Sequence, residues 1–312
     1  MEKCGVFKYS VLDDGTISLL DFASDSIENL EIPEKIDGKV VSTISRGAFG
    51  VNKKIKTVKI PHTVKRIEEG AFSFCDKLES VEIGDGVETI NSSFINCRGL
   101  KKVCIGKALT GIGSSFQCCY NNKMFVVDPD NKYLCSIDGI LFSKDRTVLI
   151  FCPCGKEGKY VIPPGTKMIG KSAFECTRLN EIVISNTVEK IESRALGDGP
   201  SCSLIVPSSV KDIALDAISL GKGVGGFEGE LVVEQDSYAY DFFYSQRTNH
   251  PIFGDECHWM LVVVKDLFKD SPIIPNPSMQ NDKLFCRHCG QQLPLDSNFC
   301  FKCGTKVETH IP

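Results

Sequence analysis

Ile67-Glu-Glu-Gly-Ala71-Phe72-Ser-Phe-Cys75-Asp-Lys-Leu78-Glu-Ser-Val81-Glu-Ile83 is the stretch that decides the architecture of this chain, because its pattern recurs on both sides. One period earlier stand Ile44, Ala48, Phe49, Ile55, Val58 and Ile60, and one period later Ile90, Phe94, Cys97, Leu100, Val103 and Ile105. Phe49, Phe72, Phe94 and Phe116 follow one another at intervals of 23, 22 and 22 residues. The phase resumes at Ile169, Ala173, Phe174, Leu179, Ile182 and Ile184, then at Ile191, Ala195, Leu196, Leu204 and Val206, then at Ile213 and Ala217. A fixed period of this length is the signature of a repeat array, in which no single unit has enough core to fold alone.

Within each unit, a short alternating run such as Val81-Glu82-Ile83 reads as a strand of period two. A turn follows, as in Ile60-Pro61-His62-Thr63 or Val206-Pro207-Ser208-Ser209, and then an Ala-Phe segment that reads as one helical turn. Stacked units lay their Val, Ile, Leu and Phe side chains into one inner column. Alternation then places the intervening residues outside. Those positions are Thr57 and Lys59, Ser80 and Glu82, Lys102 and Cys104, Glu181 and Val183, and Ser203 and Ile205. A repeat protein binds through such outward positions. The candidate partner-binding face is therefore Thr57, Lys59, Ser80, Glu82, Lys102, Glu181, Val183 and Ser203.

The repeated residues resemble the BspA-type leucine-rich repeats, with units of the form I-x-x-x-A-F-x-x-C-x-x-L-x-x-V-x-I-P. The resemblance runs from about residue 8 to 250. Tyr9 to Ser18 with Ile32-Pro33 and Ile36-Asp37-Gly38 is similar to the family's lead-in, and Tyr133 to Asp145 to its hairpin insertion. Leu231 to Tyr240 is similar to its C-terminal cap. The resemblance implies a right-handed, curved β-rich solenoid with a role in protein or surface recognition. The expected organisation is a solenoid over 1–250 with an insertion at about 121–160. A Pro-rich extension and linker (251–283), a zinc ribbon (284–306) and a short tail (307–312) follow.

The linker expectation comes from Asp270-Ser-Pro-Ile-Ile-Pro-Asn-Pro-Ser278, where three prolines block a continuous helix or central strand. Beyond it stand Phe285-Cys286-Arg-His-Cys289-Gly290 and Phe299-Cys300-Phe-Lys-Cys303-Gly304. Each Cys-x-x-Cys-Gly makes a tight knuckle, the glycine allowing the turn that aims amide groups at the thiolates. Four thiolates at Cys286, Cys289, Cys300 and Cys303 suit one tetrahedral Zn²⁺ with no open position, a structural site. Rubredoxin-like iron uses a similar spacing. The stretch also resembles the short zinc ribbons at the ends of many bacterial and archaeal proteins, whose ligands fall on the same four cysteines.

Composition narrows the function. The apolar share of 42% and charged share of 24% belong to a folded chain, and the net charge of −4 provides no basic field for nucleic acid. Residues 281–312 carry a charge of about +1 by the same residue count, weak support for phosphate contact through the ribbon. The N-terminus lacks a basic start and apolar core, and Trp259 to Val264 is too short to span a bilayer. A cytoplasmic location is expected. There, sixteen cysteines serve as metal ligands or buried thiols rather than disulfides. Cys75, Cys97 and Cys119 each follow their Phe by three residues and read as an internal thiol ladder; Cys152-Pro-Cys154 lacks the further ligands a metal needs. No nucleophile stands beside a base in a usable spacing, and Gly221 to Gly226 reads as a flexible connection rather than a phosphate loop. The expected function is a non-enzymatic protein–protein interaction scaffold whose partner the sequence does not name. An exported adhesin-like role and nucleic-acid contact through the ribbon are the alternatives.

Overall fold

A computed structural model describes residues 2–22, 26–197, 202–218, 229–249, 259–264, 284–285 and 292–293. The fold is a β-solenoid. The chain divides into two compact units, Met1–Lys144 with Cys152–Lys156, and Asp145–Phe151 with Glu157–Pro312.

The first unit opens with an antiparallel meander, Glu2–Cys4, Phe7–Val11 and Ile17–Phe22. Ile17–Phe22 then pairs in parallel with Lys39–Ile44, and the ladder continues through the two-residue strands Arg66–Ile67 and Thr89–Ile90. A second parallel sheet stacks Asn29–Glu31, Thr57–Ile60, Ser80–Ile83, Lys102–Ile105 and Met124–Val127 in register. Alternation holds: Val58, Val81 and Val103, with Ile60, Ile83 and Ile105, are all at most 3% exposed. The Met124–Val127 strand is a rung of this sheet, so the hairpin that interrupts the repeats is shorter than 121–160. It is Leu134–Ile137 paired antiparallel with Ile140–Ser143.

The Ala-Phe segments are turns, not helical turns. Left-handed residues flank the first three, Gly47, Gly70 and Ser92 two positions before the Phe and Val51, Phe74 and Asn96 two positions after it, and Cys118 follows Phe116 in the same way. Helical dihedrals cannot propagate through them. The backbone instead bonds to the next rung, Phe49 N–H donating to the Ala71 carbonyl at 2.8 Å and Phe72 N–H to that of Ser93 at 2.8 Å.

This geometry stacks the phenylalanines. Phe49, Phe72, Phe94 and Phe116 have ring centroids 4.9, 5.1 and 5.2 Å apart and planes within 8° of parallel. Beside them runs the thiol ladder. Cys75, Cys97 and Cys119 each donate Sγ–H to the carbonyl of the preceding rung's phenylalanine, at 3.2, 3.1 and 3.2 Å. Cys154 adds a fourth step by donating to Phe116 O at 3.5 Å. The adjacent Cys97 thiol and burial push the Cys75 thiol far above its ordinary value, as expected for inert side chains.

The second unit repeats the plan. Its long sheet stacks Glu157–Val161, Arg178–Val183, Ser203–Val206, Gly229–Glu234 and Trp259–Val264, all parallel. Its short ladder runs through Val148–Phe151, Met168–Ile169, Lys190–Ile191 and Asp212–Ile213. Trp259–Val264 pairs with Gly229–Glu234 over six residues, so the array gains a rung within the stretch the sequence assigned to the extension. Tyr238–Asn249 is the one α-helix among the described residues. Ser237 caps it, its Oγ accepting from Tyr240 N–H at 3.1 Å, and Ala239 and Phe243 are buried.

Candidate functional site

The outward positions of the long sheet in the first unit form two straight rows, one residue per strand. Asn29, Thr57, Ser80, Lys102 and Met124 make the first, and Glu31, Lys59, Glu82, Cys104 and Val126 the second. Parallel strands about 4.8 Å apart bring the members of each row into side-by-side contact. Thr57 Oγ1 donates to Asn29 Oδ1 at 2.8 Å, and Lys59 stands between Glu31 and Glu82 in its row. Lys59 and Glu82 are exposed, and Cys104 is half-buried. Burial pushes the Cys104 thiol up, Lys102 pulling the other way. The two rows end on Met124 and Val126, 42% and 37% exposed.

The equivalent rows of the second unit differ. Lys159, Glu181 and Ser203 make the first, with Lys159 Nζ 3.0 Å from Glu181 Oε1. Val161, Val183, Ile205 and Val232 make the second, entirely aliphatic. Val183 stands where alternation puts it, on the outward side, yet it is only 1% exposed, and Ile205 only 6%. These two form a small apolar cluster of their own with Val161, Val232 and Val264 packed against it. Val183 is therefore a packing residue, which corrects its place among the candidate contacts. The physical reason lies in its neighbours: Val161, Val232 and Val264 pack laterally against the Val183–Ile205 pair and exclude water.

The structure thus brings Thr57, Lys59, Ser80, Glu82 and Lys102 together on one sheet, and places Glu181 and Ser203 side by side on another. Sequence reading missed Met124, Val126, Glu31 and Asn29 as members of the first face. Register supplies them, and their signal is faint because Met124 and Val126 lie beyond the last full repeat motif.

The four zinc-ligand candidates, Cys286, Cys289, Cys300 and Cys303, lie outside the described residues. Leu284–Phe285 and Gln292–Leu293 pair antiparallel, and Cys286 and Cys289 fall between them in sequence. Among the described residues, no group of three or more His, Cys, Asp or Glu is arranged to hold a metal. Cys152, fully buried, has its thiol pushed up to about 12 by burial. No helix among the described residues is long and apolar enough to cross a membrane.

Comparison with known proteins places these features in a family. The model of the BspA type leucine-rich repeat region matches residues 16–148 and 148–220 in six copies, and that of a zinc-ribbon domain matches 285–307. Among solved structures, a leucine-rich repeat protein from Eubacterium ventriosum is 17% identical, with 74% of this chain and 70% of that chain covered and a TM-score of 0.47. The pneumococcal vaccine antigen PcpA is 19% identical over 83% of this chain and 84% of its own, with a TM-score of 0.44. The leucine-rich repeat protein of T. pallidum is 17% identical over 83% and 97%, with a TM-score of 0.40. No curated protein matches. The repeats cover well over half of the sequence, and the chain belongs to the BspA-type leucine-rich repeat family.

Proposed function

We propose that this chain is a non-enzymatic interaction scaffold that takes a protein partner on the outward sheet face of its first unit. The observation that carries this reading is the pair of registered rows, in which hydroxyl, amide, charged and exposed apolar groups stand side by side on a rigid sheet. Such a mixture suits protein recognition. It provides no nucleophile–base pair for a reaction.

The zinc ribbon is the second contact module. Its donor set fits a metal: four cysteines in two Cys-x-x-Cys-Gly motifs, the first lying in sequence between the paired segments Leu284–Phe285 and Gln292–Leu293. Cys286, Cys289, Cys300 and Cys303 hold one zinc, which supplies structural closure rather than chemistry, since four thiolates leave no position for water. A module this small depends on its metal, worth roughly 10–16 kcal/mol of apparent free energy. Buried thiols and a zinc–thiolate centre suit a reducing compartment, and we place the protein in the cytoplasm.

Capture from native lysate by the full chain tests the scaffold reading, in parallel with Lys59→Ala/Glu82→Ala and Cys286→Ser variants. The expected result is a reproducible protein partner that the double alanine variant releases, whichever sign of charge the partner carries. Equal capture by the double variant, or no partner, would overturn it. Native mass spectrometry is expected to show one zinc per chain; iron, or no metal, would refute the ribbon assignment.

A further inference from the structure

Along the carboxyl ends of the first unit's long-sheet strands, the second outward row meets the turns that follow and forms a groove of about 1060 Å³. Glu31, Glu34, Glu82, Asp85 and Asp128 line it against a single lysine, Lys59. His62 Nδ1 lies 3.6 Å from Glu34, and Asp85 shares Lys107 with Asp130 at 3.5 and 3.6 Å. These contacts leave the groove with an excess of negative charge. The strand ends Ile60, Ile83 and Ile105 turn their side chains into the core beneath it, and Val126 stands exposed at one end, with Met124, two residues back on the same strand, just outside the groove. The crest of the turns is low because the stacking there is close. A Cβ on Gly84 would sit 2.4 Å from the Ile60 carbonyl oxygen, so no side chain rises at that point.

We infer that this groove binds an extended basic peptide segment of a partner protein, with lysine or arginine side chains over Glu31, Glu82 and Asp85 and an apolar side chain against Val126 and Met124. The inference rests on the scaffold reading and names the chemistry of its partner. Charge complementarity selects the occupant. An acidic or phosphorylated segment meets five carboxylates, whereas a basic one neutralises them and leaves Lys59 to the segment's carbonyl groups. The apolar end fixes polarity, since a side chain placed over Val126 and Met124 covers surface that is otherwise open to water. The second unit provides no equivalent, because its matching row is aliphatic and closed.

Fluorescence anisotropy with the full chain tests this. The probe is a labelled decapeptide of alternating lysine and threonine that ends in two leucines; a copy with glutamate in place of lysine is the control. The basic peptide is expected to bind and to weaken as salt rises from about 50 to about 500 mM. Glu82→Lys/Asp85→Lys is expected to weaken it about tenfold, while Glu230→Lys, on the outward side of the second unit, leaves it unchanged. Circular dichroism verifies that the variants fold. Equal binding of the glutamate peptide, an unchanged affinity in the double variant, or an equal loss with Glu230→Lys would overturn the inference. A lysate partner that the Lys59→Ala/Glu82→Ala variant releases but that docks through an acidic segment would sink this inference while leaving the scaffold reading intact.

Discussion

The two long sheets are built on the same repeat and point their inner side chains alike, but they spend their outward rows differently. In the first unit the second row reads Glu31, Lys59, Glu82, Cys104, Val126; in the second it reads Val161, Val183, Ile205, Val232. The inward pattern is obligatory, since each rung must bury its Val, Ile and Leu against the next. The outward pattern carries no such demand. A row can therefore remain wet and face a partner, or turn aliphatic and become a second, smaller core. The first choice leaves Lys59 and Glu82 exposed, and the second leaves Val183 at 1% exposure.

The sharpest way to break this comparison lies in the aromatic columns. Phe72 is sandwiched between Phe49 and Phe94 at 4.9 and 5.1 Å, while Phe174 meets Tyr160 at 6.2 Å with planes tilted by 52°. Phe72→Ala is expected to cost about 3–5 kcal/mol, and Phe174→Ala about 1 kcal/mol less because it loses fewer favourable ring pairs. Urea unfolding of both variants measures the difference; equal costs would mean that the stacked column adds nothing beyond area.

Next in size comes the outward row itself. Val183→Glu buries a charge among aliphatic neighbours and is expected to cost about 3 kcal/mol. Glu82→Val, in the first unit's second outward row, is expected to stay within about 0.5 kcal/mol. Similar costs for the two would erase the distinction between a closed and an open row.

A smaller effect concerns the turns. Val51 is β-branched, holds φ at 61°, and has 61% of its surface exposed, whereas Asn96 occupies the equivalent position of a later rung. Asparagine tolerates this conformation, so Val51→Asn is expected to stabilise by about 1 kcal/mol in thermal unfolding. A loss of stability would show that Val51 contributes packing.

The least of the expected changes is a pH effect in the lead-in. Tyr9 donates to Asp37 Oδ2 at 2.6 Å, and that carboxylate holds the phenol well above its ordinary range. A raised folded value contributes stability below the unfolded pKa of about 10 and loses it as pH climbs further. Tyr9→Phe is expected to flatten the alkaline limb of a stability–pH curve above about pH 10. An unchanged limb would dissociate the lead-in from it.

How much of this was readable beforehand depends on whether a feature repeats in sequence. The phase, the inner residues and the thiol ladder at Cys75, Cys97 and Cys119 repeat, and they were legible. Cys154 was not, because the hairpin separates it by 38 residues from Phe116, whose carbonyl it meets. The left-handed position after each Phe holds Val, Phe, Asn and Cys, a set with no common propensity, so the turn read as helical. Trp259–Val264 looked like an isolated apolar run, and only pairing with Gly229–Glu234 makes it a rung. Val183 was placed on the correct side. Its burial arises from residues a full period away on either side, which alternation along one strand does not report.

One feature of the first unit bears on how such a chain grows. Many of its turn bonds and charge pairs join positions one unit apart, as in Lys53 with Asp76, Lys101 with Glu79 and Phe49 with Ala71. Removing or duplicating a whole unit keeps donors facing equivalent acceptors across the join, whereas removing half of one puts them out of phase there. The gene can therefore lengthen or shorten this part of the protein by recombination between neighbouring copies, and the number of rungs becomes a quantity that selection can tune without redesigning the fold.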